Sequence, residues 1–537
     1  MKQLFKPIPL LLLSLATWIT LVFISLFHSV DGEGLLVGSF SIWGDWSAHL
    51  SFTEAFRQRG LSWILDPNPL FQDAPFRYPF LSHLLTAVLS MGLGIQTIHG
   101  MVFTSALLLF LLPFLLFRFF QKWNLSPRAS LYSTLGFLLM GGLQIFDSSL
   151  NPAKPLTNQF EHGSIFTSFL LFELYPQRAF LFGLCAVLWS TGTLLGKSNK
   201  HSKRLALFLL GILPLVHLHS FIAIPFFLLA LLCFPRKDSG DFTDRAQVVG
   251  RGAVIGGIGA LCLWFLFRSP NPFPHQWRIF LPGWAQNEAA GQPLAASMNP
   301  LWFWIYNTGV FLPLVFIEIV LSRRNRNLMS LALAGFLLFL VALLFCVQPY
   351  FYDNLKIFTY SFLFFAPFFG LFLDRFQGAL RSAALLLLAL QCASATRDLW
   401  SFQQGIEKTV WFTELDQDLA SEFKKLRSSP DARVLITPIH NHPIPCLTGN
   451  PVVMGYPGWL WSWGINYTLL ERKVGSVLLG SGDALEQARS LGAEYIVVGS
   501  QETFQNHPIS FSFLDSNFRK LKTLGPWRIY KVEPPLR

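Results

Sequence analysis

The sequence predicts a polytopic α-helical membrane protein, with about eleven transmembrane helices and an exported α/β domain at its C-terminal end. Three observations carry this prediction. Of the 537 residues, 52% are hydrophobic and only 13% are charged, about half the charge density of an ordinary soluble domain. Apolar windows able to span a ~30 Å hydrocarbon core at about 1.5 Å per helical residue recur from Ile8 to Thr396 and then stop. The basic residues behind the net charge of +11 sit mostly in short clusters between those windows. Such clusters read as topology signals, so nucleic acid is not an expected partner.

Eleven spans are expected, at 8–28, 99–120, 129–146, 176–196, 205–217, 219–234, 251–268, 301–321, 329–347, 357–373 and 382–396. The first lies behind Lys2 and Lys6 and is long. Because Ser25-Leu-Phe-His-Ser-Val30 offers no small-x-small cleavage site, it reads as an uncleaved anchor. Further clusters occur at Arg118/Lys122/Arg128, Lys197/Lys200/Lys203/Arg204, Arg236/Lys237/Arg245/Arg251, Arg323/Arg324/Arg326 and Arg375/Arg381. With eleven crossings every cluster falls on one side, the cytoplasm, and the C-terminal tail falls outside. The apolar stretch Tyr78 to Ile95 would reverse every later cluster if it crossed. It is therefore expected to be an interfacial helix. The runs 205–217 and 219–234 are individually short, and a tilted or re-entrant pair would place His217 and His219 at its outward turn.

Two domains follow: a transmembrane domain at 1–396, with a first outer loop at 29–98, and an exported domain at 397–537. In the tail, a helical pattern at Trp411 to Arg427 precedes strand-like runs at Arg433 to Thr437 and Pro451 to Gly455. Helical patterns at Ile465 to Leu479 and from Asp483, then strands ending at Val498 and Val532, complete an α/β alternation. Five of six cysteines lie in apolar runs and Cys446 is alone in the tail, which excludes a disulfide framework there and any CxxC metal site.

The carboxylates and histidines collect in the outward segments. Trp43-Gly-Asp-Trp-Ser-Ala-His-Leu50 sets Asp45 and His49 four apart, on one face of a helix, with helix capping by Asp45 as the plainer alternative. Asp73 precedes the interfacial helix, where it too is a candidate cap. The second outer loop holds Glu161 and His162, and Arg178 stands just inside the next span, where it must face inward, paired or holding an anion. Asp353 and Lys356 are one helical turn apart and either neutralise one another or leave the lysine for a phosphate. In the tail, Gly455-Tyr-Pro-Gly-Trp-Leu-Trp-Ser-Trp-Gly464 is either a membrane-seating belt or a wall on which Trp459 and Trp461 stack sugar rings. His440 and His442 alternate as on a strand, which would let them share a metal.

A first span followed at once by an Asp-bearing loop, then Arg77-Tyr-Pro-Phe-Leu-Ser-His-Leu-Leu85, many further spans and an exported tail, resembles the GT-C glycosyltransferase superfamily. More narrowly, the layout is similar to bacterial membrane proteins related to protein O-mannosyltransferases and lipid A aminoarabinose transferase. The resemblance implies transfer of a sugar from a polyprenyl-phosphate donor to a glycan, lipid or protein acceptor, with inversion, at the outer face of the bacterial inner membrane. It implies that Asp45 is the base or metal-contacting carboxylate and that Asp73 is the second candidate. Arg178 and Lys356 would hold the donor phosphate, with His49, Glu161, Asp353, Trp459 and Trp461 as further substrate contacts. No cofactor is implied beyond a divalent metal, for which the second loop has no DxD or ExD pair. A transporter or polysaccharide-export component is the alternative from another class, although paired inverted halves are not visible.

Overall fold

The computed structural model describes all residues except 1–6, 33, 39, 66, 158, 166–167, 237–243, 272–273, 275, 277, 288–297, 406–408 and 534–537. Lys2, Lys6 and Lys237 of the basic clusters therefore lie outside the described residues. The longer helices run in chain order as α1 Pro7–Ile24, α2 Phe40–Arg59, α3 Leu81–Leu93, α4 Thr97–Gln121, α5 Pro127–Leu138 and α6 Arg178–Leu195. They continue with α7 Lys200–Gly211, α8 Leu218–Cys233, α9 Arg245–Leu266, α10 Pro300–Thr308, α11 Phe311–Leu321, α12 Arg326–Leu344, α13 Leu355–Asp374 and α14 Arg381–Gly405. The C-terminal helices are α15 Glu414–Leu426, α16 Pro457–Ser462, α17 Thr468–Leu479, α18 Ala484–Ser490 and α19 Phe511–Asn517.

Among the described residues, seven helices are long and apolar enough to cross a membrane, and α10 with α11, bent by 98°, make an eighth if they form one span. These eight match eight of the expected windows and make the chain an integral membrane protein. The other three windows form shorter pieces. At 129–146 the helix stops at Leu138, at 205–217 it is interrupted at Ile212, and 219–234 is the 16-residue α8. The bend after α10 falls at Gly309, whose φ of 61° places it in the left-handed region.

The chain forms two compact units. One comprises Met1–Leu26, Thr104–Phe265 and Arg278–Ile406; the other comprises Phe27–Phe103, Leu266–Trp277 and Glu407–Arg537. The first outer loop thus folds with the tail, in one unit.

In the helical unit α13 is the core. Nearly all of it is buried, including Lys356. Its phenylalanines interlock with neighbouring helices, with Phe358 5.3 Å from Phe339, Phe364 5.3 Å from Phe227 and Phe365 5.3 Å from Phe336. Glycines admit these rings: a Cβ on Gly136 or Gly335 would lie 2.5 Å from Phe369 or Phe365, the small-residue packing of membrane helices. Buried Glu318 accepts two hydrogen bonds from Arg375, at 2.5 and 2.7 Å, tying α11 to α13. Local capping sets several helix starts, as at α5, where the Ser126 hydroxyl accepts from the Ala129 amide and Pro127 opens the first turn.

Among the described residues, the loop-and-tail unit contains eleven strands: β1 Phe27–Val30, β2 Gly34–Val37, β3 Pro67–Asn68, β4 Phe71–Pro75, β5 Thr409–Phe412, β6 Val434–Ile436, β7 Tyr495–Gly499, β8 Thr503–Phe504, β9 His507–Pro508, β10 Arg519–Leu524 and β11 Trp527–Lys531. One sheet, ordered β10-β11-β7-β6, is antiparallel except for the parallel β6–β7 pair. A second, ordered β1-β2-β5, joins the first loop to the tail. The core brings Phe71 of the loop together with Val453, Leu460, Val474, Val477, Ile496 and Tyr530 of the tail. Three expectations change here. The end of the first apolar run is strand β1 rather than helix, because it pairs with β2. The expected helix at Trp411 to Arg427 begins only at Glu414, after strand β5, because Thr413 and Asp416 form a capping box. Pro451 to Gly455 meets β6 only through a single parallel bridge at Val434, and its other backbone hydrogen bonds go to Pro69, Leu70 and Gln72 of the first loop, so it is not a regular strand of the tail sheet.

Helix α3 buries its polar residues and exposes its apolar ones. Ser82, His83, Thr86 and Ser90 are fully buried, while Leu85, Val88, Met91 and Leu93 are about half exposed. An apolar outer face suits a lipid boundary.

Candidate functional site

Asp45 lies in the second turn of α2, which starts at Phe40, so it does not cap that helix. It is partly buried, and one turn on His49 is 3% exposed. His49 Nδ1 is 2.7 Å from Nε2 of buried His83 on α3, with the two rings stacked 5.0 Å apart at 21°. One ring nitrogen must therefore donate to the other, which fixes the tautomers as a pair. His83 is absent from the sequence-derived site. Its signal was the polar stripe Ser82/His83, Thr86, Ser90 in an otherwise apolar run.

Residues of the tail surround this part of α2. The Trp411 indole donates to Ser47 Oγ at 2.8 Å, and the Trp43 indole donates to the Val410 carbonyl at 3.2 Å. The Cys446 thiol lies 3.6 Å from the Ser47 carbonyl, and burial pushes it up to about 12, so it is a packing residue rather than a nucleophile. Asp73 is exposed on β4, and the N-cap position of α3 is held by Phe80, so Asp73 does not cap that helix either. Trp459 is buried on α16 and Trp461 is partly exposed. The aromatic segment packs on the first loop, with Trp463 5.7 Å from Phe52 and 5.4 Å from Tyr78. His440 and His442 point to different partners, which removes the shared metal site. His440 stacks on Tyr456 at 3.4 Å, whereas fully buried His442 faces the Trp527 ring at 5.2 Å and Glu502 at 3.9 Å.

The helical unit holds the other candidates. Arg178 opens α6 and is fully buried. Its Nε donates to Ser105 Oγ at 3.1 Å, and its guanidinium donates to Thr104 Oγ1 at 3.0 Å. Lys356, on the first turn of α13, donates to Asp353 at 2.5 Å, so these two do pair. Tyr360 donates to Ser220 at 2.6 Å, and Ser220 Oγ is 2.8 Å from His217 Nδ1. Phe180 lies 5.1 Å from His217 and 5.8 Å from Tyr360, and Phe172 lies 4.6 Å from Tyr352. The starts of α6, α8 and α13 are thereby gathered, with Arg178, Lys356 and two histidines among them. Glu161 is exposed on a single 3-10 turn. Its loop is held by Asp398, which accepts from the amides of Leu156 and Thr157 at 2.7 and 2.8 Å, and by Asn307, which accepts from Ile165 at 2.7 Å.

Among the described residues, no three His, Cys, Asp or Glu side chains group closely enough to hold a metal ion. The chemistry of these positions is instead that of a partly buried carboxylate on α2 and buried cations at helix starts.

No protein-family model matches the sequence, and no curated protein does. Solved structures do. ArnT from Cupriavidus metallidurans bound to undecaprenyl phosphate superposes with a TM-score of 0.56 at 12% identity, covering 98% of this chain and 98% of that one. The archaeal oligosaccharyltransferase AglB from Archaeoglobus fulgidus, in complex with an inhibitory peptide and a dolichol-phosphate, gives 0.54 at 13% identity over 91% of this chain and 69% of that one. Arabinofuranosyltransferase AftD from Mycobacteria gives 0.53 at 12% identity over 90% of this chain and 39% of that one. All three are GT-C membrane glycosyltransferases. The chain has the GT-C fold. The likeness to ArnT covers nearly the whole length of both chains, so the GT-C fold here takes in the spans, the first loop and the tail alike.

Proposed function

We propose that the protein is a membrane glycosyltransferase that moves a sugar from a polyprenyl-phosphate carrier to an acceptor at the outer face of the bacterial inner membrane. The observation that carries this reading is the fold likeness over 98% of the chain to ArnT, whose structure contains undecaprenyl phosphate. In the proposed reaction the acceptor hydroxyl attacks the anomeric carbon, and Asp45 takes its proton. The bond from that carbon to the carrier phosphate breaks, with inversion, and polyprenyl phosphate leaves. Arg178 and Lys356 hold the phosphate and offset the charge it gains, with Asp353 orienting the lysine. Asp73, His49, Glu161, Trp459 and Trp461 are proposed substrate contacts, and no metal is assigned a step. Counted over the eleven expected crossings, the basic clusters support a cytoplasmic N-terminus and an external tail.

The test is transfer by purified protein from a panel of radiolabelled undecaprenyl-phosphate sugars. The wild type releases undecaprenyl phosphate, and Asp45→Asn loses at least about a hundredfold in rate at equal membrane abundance, the scale of a missing general base. A fully active Asp45→Asn variant would remove Asp45 from the chemistry. Uptake of the labelled sugar into sealed vesicles without carrier release would favour a transporter.

A further inference from the structure

The rings around α2 form an arc. From Trp43 it passes to His440 at 4.9 Å, then to Tyr456 at 3.4 Å and Trp459 at 5.6 Å. It continues from Trp459 to Trp463 at 6.4 Å, where the two planes lie 16° apart, then to Tyr78 at 5.4 Å and to His49 at 6.2 Å. Both ends stand on α2, two residues before Asp45 and four residues after it. Trp43, His440, Tyr456, Trp463 and Tyr78 all keep part of their surface open, unlike the closed rings of a core. Burial holds His440 down to about 4 and raises Tyr456, so both rings at the middle of the arc are neutral near pH 7.

We propose that this arc is the acceptor platform and that the acceptor it takes is an uncharged saccharide; this rests on the transferase reading above. A pyranose presents an apolar face of C–H groups, whose partial positive charge matches the negative face of an aromatic ring. Its hydroxyls lie around the edge of the ring, where they reach polar groups without needing a counter-ion. A charged acceptor such as a phosphorylated lipid or an acidic peptide would lose hydration here and gain no opposite charge. The few convergent polar groups and many rings are the usual make-up of a small-ligand site. Trp43, His440 and Tyr456 thereby join Trp459 as specificity-determining residues.

Binding is measured on the full chain in nanodiscs, without donor, by saturation-transfer NMR and tryptophan fluorescence. The probes are neutral gluco-, galacto-, manno- and rhamno-disaccharides, a galacturonate disaccharide and an acidic pentapeptide. The expected result is saturable binding of at least one neutral disaccharide, weakened at least tenfold in Tyr456→Leu and Trp43→Leu, which keep apolar bulk but lose the ring. Tyr456→Phe retains binding, which also shows that the position tolerates substitution. The proposal is overturned if no neutral disaccharide binds, if the leucine variants bind equally well, or if the charged probes bind more tightly. Quenching of these tryptophans by brominated lipids would equally overturn it in favour of a membrane belt. Binding without transfer would leave the platform standing and remove the transferase reading, whereas transfer indifferent to the ring variants would do the reverse.

Discussion

Arg178 is the residue whose environment is hardest to explain by packing alone. A guanidinium buried in a membrane-spanning segment is costly, and here it is held by the hydroxyls of Thr104 and Ser105 among its partners. If it holds the donor phosphate, Arg178→Leu raises KM for the donor by about tenfold or more, the loss of one charge-assisted interaction. Arg178→Lys recovers only part of this, since an ammonium cannot reproduce the fork. Measuring donor KM and acceptor KM separately decides the matter, because a purely structural arginine would lower the amount of folded protein and leave donor KM unchanged. Lys356 differs in that its ion pair with Asp353 was one of two readings open from spacing alone. The structure shows the pair, and the phosphate role proposed for the lysine now includes Asp353 as its anchor.

At the scale of elements, the tail makes two checkable statements. Thr413 Oγ accepts from the Asp416 amide at 3.1 Å, and Asp416 accepts from the Thr413 amide at 2.8 Å, closing the capping box of α15. Thr413→Ala should cost about 1 kcal/mol locally and speed hydrogen exchange over Glu414–Leu426 by about fivefold. Glu502 and His442 give the second. Burial raises the Glu502 carboxyl to about 7 and lowers His442 to about 3. For Glu502 the folded value lies above the unfolded one, so its contribution is complete below about pH 4.5 and is lost as pH rises through about 7. His442 has the opposite sign and loses its contribution as pH falls from about 6.5 towards 3. Glu502→Gln should therefore remove the loss of exchange protection in β7 and its neighbours between pH 5 and pH 8, worth up to about 3 kcal/mol. An unchanged pH profile would show that Glu502 is ionised throughout.

The same scale explains what the sequence could reveal. Hydropathy located α1, α4, α6, α9, α12, α13 and α14 because each is a continuous apolar run. It did not reveal the 98° bend after α10, since a turn at Gly309 leaves the apolar count unchanged. Strand β5 was hidden for a different reason. Its partner β2 lies more than 370 residues earlier, and the four residues Thr409 to Phe412 before an amphipathic helix have no period of their own. Asp45 and His49 were placed on one helix by their spacing, but His83 required knowledge of which helix faces α2. Likewise the aromatic segment announced itself in the tail, whereas its partners Phe52 and Tyr78 belong to the first loop.

For the whole molecule, the consequential feature is that the first loop and the tail form one compact unit. The β2–β5 pairing depends on Gly34, whose φ is +95° and whose missing side chain leaves room for the Phe412 carbonyl, only 2.3 Å from where a Cβ would stand. Gly34→Ala should therefore separate those strands, at a cost of several kcal/mol from strain and clash together. The expected readout is rapid exchange at Thr409–Phe412 and reduced recovery of folded protein, while Gly92→Ala, where a Cβ meets nothing within 4 Å and the backbone is helical, leaves both unchanged.

Group transfer itself separates an enzyme from a protein that only binds its carrier or cargo. The most direct measurement follows a doubly labelled undecaprenyl-phosphate sugar, with one isotope in the sugar and one in the phosphate, incubated with the purified full-length protein and a neutral saccharide acceptor. The account predicts that the sugar label moves to the saccharide in one-to-one proportion with the appearance of sugar-free undecaprenyl phosphate, and that Asp45→Asn abolishes both. Labels that stay together on the carrier, with folded wild-type protein present and every sugar of the panel tried, would contradict it.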